Sequence, residues 1–188
     1  YIISSHYHAG NLQIHQVEDG RFIKRVQVID HKKYERDGQV SHVHFATFTK
    51  NQEYIIVCDL GLDALYLYPF DTTTGKVNEQ AVSITTVATG SGPRHLTLNL
   101  SGDRVYVLNE LSGTINTYSY NDEGLTFIEE QHPVRDETKK ISGAAVKLHP
   151  NGRYLYATQR GENILNCFKI VENGQLEWFA NIPVEGEH

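Results

Sequence analysis

The chain has 188 residues, of which 39% are hydrophobic and 21% charged; this is the composition of one ordinary globular domain and not of a disordered segment. Its net charge of −6 and the lack of any Lys/Arg block argue against a nucleic-acid or acidic-membrane partner, which needs a basic footprint. No apolar run approaches the roughly 20 residues that cross a bilayer, and Cys58 and Cys167 stand alone without metal-type spacing, so free thiols in the cytoplasm are expected.

The chain repeats itself. Residues 1–29, opening "YIISSHYHAGNLQIHQVEDGRF", form a partial first copy in which Leu12 precedes Leu65 by 53 residues and the innermost strand is missing. A polar connection, "DHKKYERDGQVS" at 30–41, leads to a second copy at 43–89, which begins "VHFATFTKNQEYIIVCDLGLDALYLYPFD". The third copy, 94–133, begins "RHLTLNLSGDRVYVLNELSGTINTYSYND" and brings Val107 and Tyr118 into register with Val57 and Tyr68 at a spacing of 50. A second connection, "VRDETKKIS" at 134–142, leads to the fourth copy at 144–182, where Ala157 and Phe168 continue the register.

Each copy alternates at period two, is rich in Val, Ile, Tyr and Thr, and breaks at "KNQE", "SGDR" and "PNGR" and again at "LGLD", "LSGT" and "RGEN". That pattern predicts four short antiparallel strands per copy. No segment sustains a 3.6-residue period, so helices are expected to be minor. A repeat of about 40–50 residues made of four strands is the signature of a β-propeller blade; a two-sheet sandwich is the competing architecture. The fold expected is all-β, a propeller fragment of about four blades with the first incomplete. The chain opens inside an apolar run and contains no Met, so it is read as cut from a larger ring, with exposed blade edges that favour self-association.

The same period locates the unusual side chains. The first strand of a copy is the innermost one and returns through a tight turn into the second, which sets Arg94 beside Asn109 and Glu110, His44 beside Asp59 and Leu60, and Ala144 beside Gln159 and Arg160. One rim of the central channel thus gathers an imidazole, two guanidiniums and a carboxylate, which suits a polar anionic small molecule. The two polar connections arrive at this rim, where each charge is read first as part of an ordinary solvated loop and second as a wall of the mouth that offers Lys or Arg to a substrate phosphate. The pairs His6/His8 and His42/His44 have the His-x-His form of a zinc site but lack a third placed ligand. "GSG" at 90–92 lacks the Lys and following helix of a phosphate loop and reads as a turn. No nucleophile elbow and no Cys–His pair is present.

"HVH…CDLGLD", "GSGPRHL…VYVLNE" and "AAVKLHPNGRYLYATQR", in this order and spacing, resemble the bacterial 6-phosphogluconolactonase family of seven-bladed propellers, which also includes fungal carboxymuconate cyclases. The resemblance covers nearly the whole chain, about half of a family member. It implies a seven-bladed ring and places the family's proposed site on His44, Arg94, Glu110 and Arg160, with their neighbours His42, His95 and Asn109 assigned to substrate binding. It implies an anionic lactone as substrate, opened by water without metal or organic cofactor. Glu110 or His44 serves as general base while the other orients it, and Arg94 and Arg160 stabilise the oxyanion or hold the phosphate. Cyclisation of an unsaturated dicarboxylate and a non-catalytic binding propeller are the alternatives.

Overall fold

A computed structural model of the chain describes residues 1–133 and 138–185. Four antiparallel sheets follow one another along the sequence. Blade 1 holds β1 (Ile2–His6), β2 (Asn11–Glu18) and β3 (Arg21–Asp30). Blade 2 holds β4 (Val43–Phe48), β5 (Tyr54–Asp59), β6 (Ala64–Asp71), the two-residue β7 (Lys76–Val77) and β8 (Ser83–Thr86). Blade 3 holds β9 (Pro93–Leu98), β10 (Arg104–Asn109), β11 (Ile115–Asn121) and β12 (Gly124–Gln131). Blade 4 holds β13 (Gly143–Leu148), β14 (Tyr154–Gln159), β15 (Ile164–Ile170) and β16 (Leu176–Pro183). Helix among the described residues is confined to two short 3₁₀ turns, Lys32–Tyr34 and Glu172–Gly174.

The outer part of blade 2 departs from the four-strand expectation. Before the outer strand β8 forms, β6 turns back through Asp71, whose carboxylate accepts from Thr73 N–H, Thr74 N–H and the Thr74 hydroxyl, and pairs with β7. Blade 1 has three strands because its sheet begins at the equivalent of a second strand.

Burial explains why the strands read as they do. Three apolar clusters lie between consecutive blades. Leu12, Ile14 and Ile29 of blade 1 meet Val43, Ile55, Val57 and Tyr68 of blade 2. Ile56, Cys58, Leu65 and Leu67 of blade 2 meet Leu96, Val105, Val107 and Tyr118 of blade 3. Tyr106, Leu108 and Ile115 meet Val146, Leu155, Ala157 and Phe168 of blade 4. Alternate residues of one strand therefore feed different interfaces, and β5 and β10 are apolar on both faces, as a strand covered on both sides must be. β14, with a neighbour on one side only, buries Leu155 and Ala157 and leaves Tyr154, Tyr156 and Thr158 half-buried. Each fully buried Leu, Ile, Val or Phe contributes about 1.5–3 kcal/mol relative to exposure, so the interfaces rather than the isolated sheets hold the fold together.

The turn joining the second strand of each blade to the third needs a left-handed residue. Gly10, Asp63, Gly113 and Asn163 fill it, at φ of 62°, 49°, 71° and 52°. Gly, Asn and Asp are the types that adopt this conformation at least cost. The turn lies on the rim where the first strands begin.

Candidate active site

Three successive inner strands carry an irregularity at the same place. In β4, Val43 pairs with Asp59 and Phe45 with Cys58, which leaves His44 as an extra residue. In β9, Pro93 pairs with Asn109 and His95 with Leu108, which leaves Arg94. In β13, Gly143 pairs with Gln159 and Val146 with Ala157, so Ala144 and Ala145 together oppose Thr158. A bulge breaks the alternation of the pleat and re-aims a side chain. His44 and Arg94 owe their direction to it.

The opposite strand ends are fixed by one repeated backbone bond. The N–H groups of Leu60, Glu110 and Arg160 donate to the carbonyls of His42, Gly92 and Ser142 at 3.0, 2.7 and 2.9 Å. Each second strand is thus tied to the approach of its own first strand. The connections press closely on these turns: a Cβ on Gly61 would stand 1.8 Å from the Val40 carbonyl oxygen, and one on Gly161 would stand 1.7 Å from that of Lys140, so only glycine fits there.

Glu110 is the hub of the four residues that the period brings together. Arg94 Nε donates to its Oε2 at 2.9 Å, Arg160 Nη2 donates to its Oε1 at 2.5 Å, and His44 Nε2 lies 3.8 Å from Oε2. Arg94 Nη1 also donates to the Ala144 carbonyl. Three blades contribute, since His44 comes from blade 2, Arg94 and Glu110 from blade 3, and Arg160 from blade 4. Arg94, His44 and Glu110 keep 17%, 19% and 21% of their side-chain surface in solvent, and Arg160 keeps 33%. The cluster keeps part of its surface in solvent yet is sheltered enough for charge-assisted bonds to hold their geometry.

Burial, and after it the Arg94 guanidinium, keep His44 below the ordinary histidine range, although the Glu110 carboxylate acts the other way. His95 is pushed down to about 4 by burial, by Arg94 and by His44. Both rings are therefore uncharged at neutral pH. They meet edge to face at 5.7 Å, and His95 also lies 4.6 Å from the Phe45 ring. No other side chain among the described residues hydrogen-bonds the buried Nδ1 of His44 or Nε of Arg160.

The remaining expectations meet different fates. His42 lies beside His44, and its ring stacks on Tyr7 while Nδ1 meets the Tyr7 carbonyl at 3.2 Å. Asn109 is fully buried, and its amide donates to Thr114 Oγ1 at 2.9 Å and to Asn116 Oδ1. The amide nitrogen of Asn109 is thus engaged inside blade 3, and its Oδ1 is buried without a partner among the described residues. Lys33, in the first connection, donates to the Glu79 carbonyl instead of reaching the mouth. The cations of the second connection include Arg135, which lies outside the described residues. His6 ends β1 while His8 falls in the following turn, so the first His-x-His pair shares no strand face. Cys58 and Cys167 are free and buried, and burial pushes both thiols up, which leaves neither as a thiolate nucleophile.

Sequence reasoning overlooked the support beneath the site. Asp59 is fully buried; its Oδ2 accepts from the Ser41 hydroxyl at 2.6 Å and meets His31 Nδ1 at 3.0 Å, while Oδ1 accepts from His42 N–H at 2.8 Å. Asp63 accepts from the N–H groups of Gly90 and Gly92 at 2.7 and 2.8 Å. Tyr7 stands beside both His42 and His44.

The whole chain, residues 1–188, matches the family described as lactonase, 7-bladed beta-propeller. The chain belongs to the seven-bladed β-propeller lactonase family. It is 29% identical to the 6-phosphogluconolactonase of Bacillus subtilis over 194 aligned positions, which cover 99% of this chain and 54% of that protein. Among solved structures, a protein from Lactobacillus plantarum superposes with a TM-score of 0.88 at 27% identity, covering 98% of this chain and 55% of that one. The periplasmic gluconolactonase of Pseudomonas aeruginosa superposes with a TM-score of 0.87 at 26% identity, covering 99% and 55%. The chain thus spans about half the length of these proteins. Four of a lactonase propeller's seven blades are in view, the first without its inner strand.

Proposed function

We propose that the chain supplies the catalytic half of a lactone hydrolase that opens 6-phosphoglucono-δ-lactone to 6-phosphogluconate. The observation that carries this reading is the Arg94–Glu110–Arg160 clamp with an uncharged imidazole at its edge. Relatives named 6-phosphogluconolactonase support the substrate class.

Both Glu110 oxygens already accept from guanidiniums, so Glu110 serves best as the fixed anion that orients its neighbours. His44 is the general base. Its Nε2 takes a proton from water as the oxygen attacks the lactone carbonyl carbon, and the carbonyl π pair moves onto oxygen. Arg94, held at two points, faces that oxyanion, and the more exposed Arg160 grips the phosphate. Collapse of the tetrahedral intermediate breaks the ring C–O bond, and the imidazolium returns its proton to the departing alkoxide. The carboxylic acid formed then ionises in water. A cytoplasmic setting goes with the two free thiols. Among the described residues no helix is long and apolar enough to cross a membrane.

Turnover of the phosphorylated lactone, followed by acid release in the chain and in a seven-bladed protein containing it, tests the reading. His44→Gln is expected to lower kcat by about a hundredfold or more, and Glu110→Gln to do the same while the fold survives. Because His44 acts uncharged, kcat/KM falls as pH drops through a midpoint below 6.5. Turnover unchanged in both variants would overturn the assignment, and cyclisation of a muconate without lactone opening would transfer the site to the cyclase reaction.

A further inference from the structure

Tyr7 occupies a place in the ring of rim residues that the fifty-residue spacing conceals. Leu12 corresponds to Leu65 at an offset of 53, and the same offset carries Tyr7 onto Leu60, hence onto the position of Glu110 and Arg160 in the later blades. The first copy contributes an aromatic ring where the second contributes a buried leucine and the others contribute charge. This ring lies face to face with His42, with centroids 4.3 Å apart and planes 3° from parallel, and its backbone carbonyl meets His42 Nδ1 at 3.2 Å. It also meets His44 at 5.6 Å with planes at 82°. His95 meets His44 in nearly the same way, at 5.7 Å and 84°.

An imidazole has two side-chain torsions, and two perpendicular aromatic neighbours restrict both, because the edge-to-face arrangement is lost when the ring turns. Among the described residues no other side chain hydrogen-bonds the ring in their place: Nδ1 meets none, and Nε2 stands 3.8 Å from Glu110. We propose that Tyr7 is a positioning residue: held flat by His42, it clamps the His44 ring with the help of His95 so that Nε2 faces Glu110. The role is carried across a blade boundary, from the β1–β2 turn to the bulge of β4. It rests on the reading of His44 as the base.

The test compares Tyr7→Phe, Tyr7→Leu and Tyr7→Ala with the unmodified chain, using the NMR titration of the His44 ring and, separately, kcat and KM for the lactone. Tyr7→Phe keeps the ring and is expected to match the unmodified protein within twofold in both constants. Tyr7→Leu copies the residue at the equivalent place in blade 2 and is expected to lower kcat about tenfold with KM within twofold. Tyr7→Ala also exposes His44 to water, so its titration midpoint moves up toward 6.5, while an amide NMR spectrum unchanged away from the site reports that the fold is kept. A rise in KM with kcat intact would make Tyr7 a substrate contact and overturn the proposal. So would a Phe variant as impaired as the Leu variant, or a His44 midpoint that does not move in Tyr7→Ala. Should a seven-bladed protein containing the unmodified chain show no turnover, the hydrolase reading fails, and the titration alone still decides whether Tyr7 controls His44.

Discussion

Asp59 shows how a charge can be kept inside a blade stack. Burial favours the neutral acid, yet hydrogen bonds from His31, Ser41 and the His42 amide outweigh it and hold the carboxyl below the ordinary aspartate range. A carboxyl depressed in the folded state contributes stability that is present above its unfolded value, about 3.9, and is lost as pH falls through the folded value. The chain is therefore expected to lose stability to acid below about pH 4. Asp59→Asn, which keeps the shape but not the charge, is expected to cost about 2–3 kcal/mol in urea unfolding at pH 7 and to flatten that acid limb. An unchanged limb would show that other carboxylates set it. The proximity of Asp59 to His44 was legible from the strand return. Its partners were not, because His31 reaches it from a connection whose course no period dictates.

At the scale of elements, the strands were legible because alternation is imposed by burial, and so was the convergence of His44, Arg94, Glu110 and Arg160, which needed only a turn and a repeat. The bulges were not. All three later copies carry the extra residue, so it leaves the spacing of 50 intact and hides in any comparison of one copy with the next. The "GSG" segment was legible as a turn, but its purpose came from Asp63, whose carboxylate fills the N–H groups of Gly90 and Gly92. Gly92 in turn accepts the Glu110 amide, and Arg94 follows two residues later. Asp63→Gly leaves a residue suited to the left-handed turn, as Gly10 and Gly113 are, so unfolding stability should drop by only about 1–2 kcal/mol. The same change frees the lead-in to Arg94, and kcat/KM is expected to fall about tenfold, with Asp63→Asn intermediate. Activity equal to that of the unmodified protein would show that the clamp serves the turn alone.

For the whole molecule, the two end sheets differ from the two inner ones in what they leave uncovered. Blade 1 turns a mixed face outward, where Ser4 lies 3.0 Å from His6 Nε2 and 2.9 Å from His15 Nε2 while Ile2 and Phe22 are 54% and 64% exposed. Blade 4 turns an aromatic face outward, where half-buried Tyr154 packs against Phe179, itself 51% exposed. Ile182 and Trp178 add to the exposed apolar surface of the same strand, β16. The inner edge of β1 adds an unpaired row of backbone groups, and a free edge beside uncovered apolar surface is what recruits a second chain. We expect the 188-residue chain on its own to associate with itself, giving a sedimentation coefficient that rises with concentration. If the blade 4 face drives this, Phe179→Glu together with Ile182→Glu returns the chain to monomer while its unfolding midpoint moves little, since surface substitutions usually stay within about 0.5 kcal/mol. A doubly substituted chain that still associates would assign the contact to blade 1, and a monomeric unmodified chain would remove the expectation altogether.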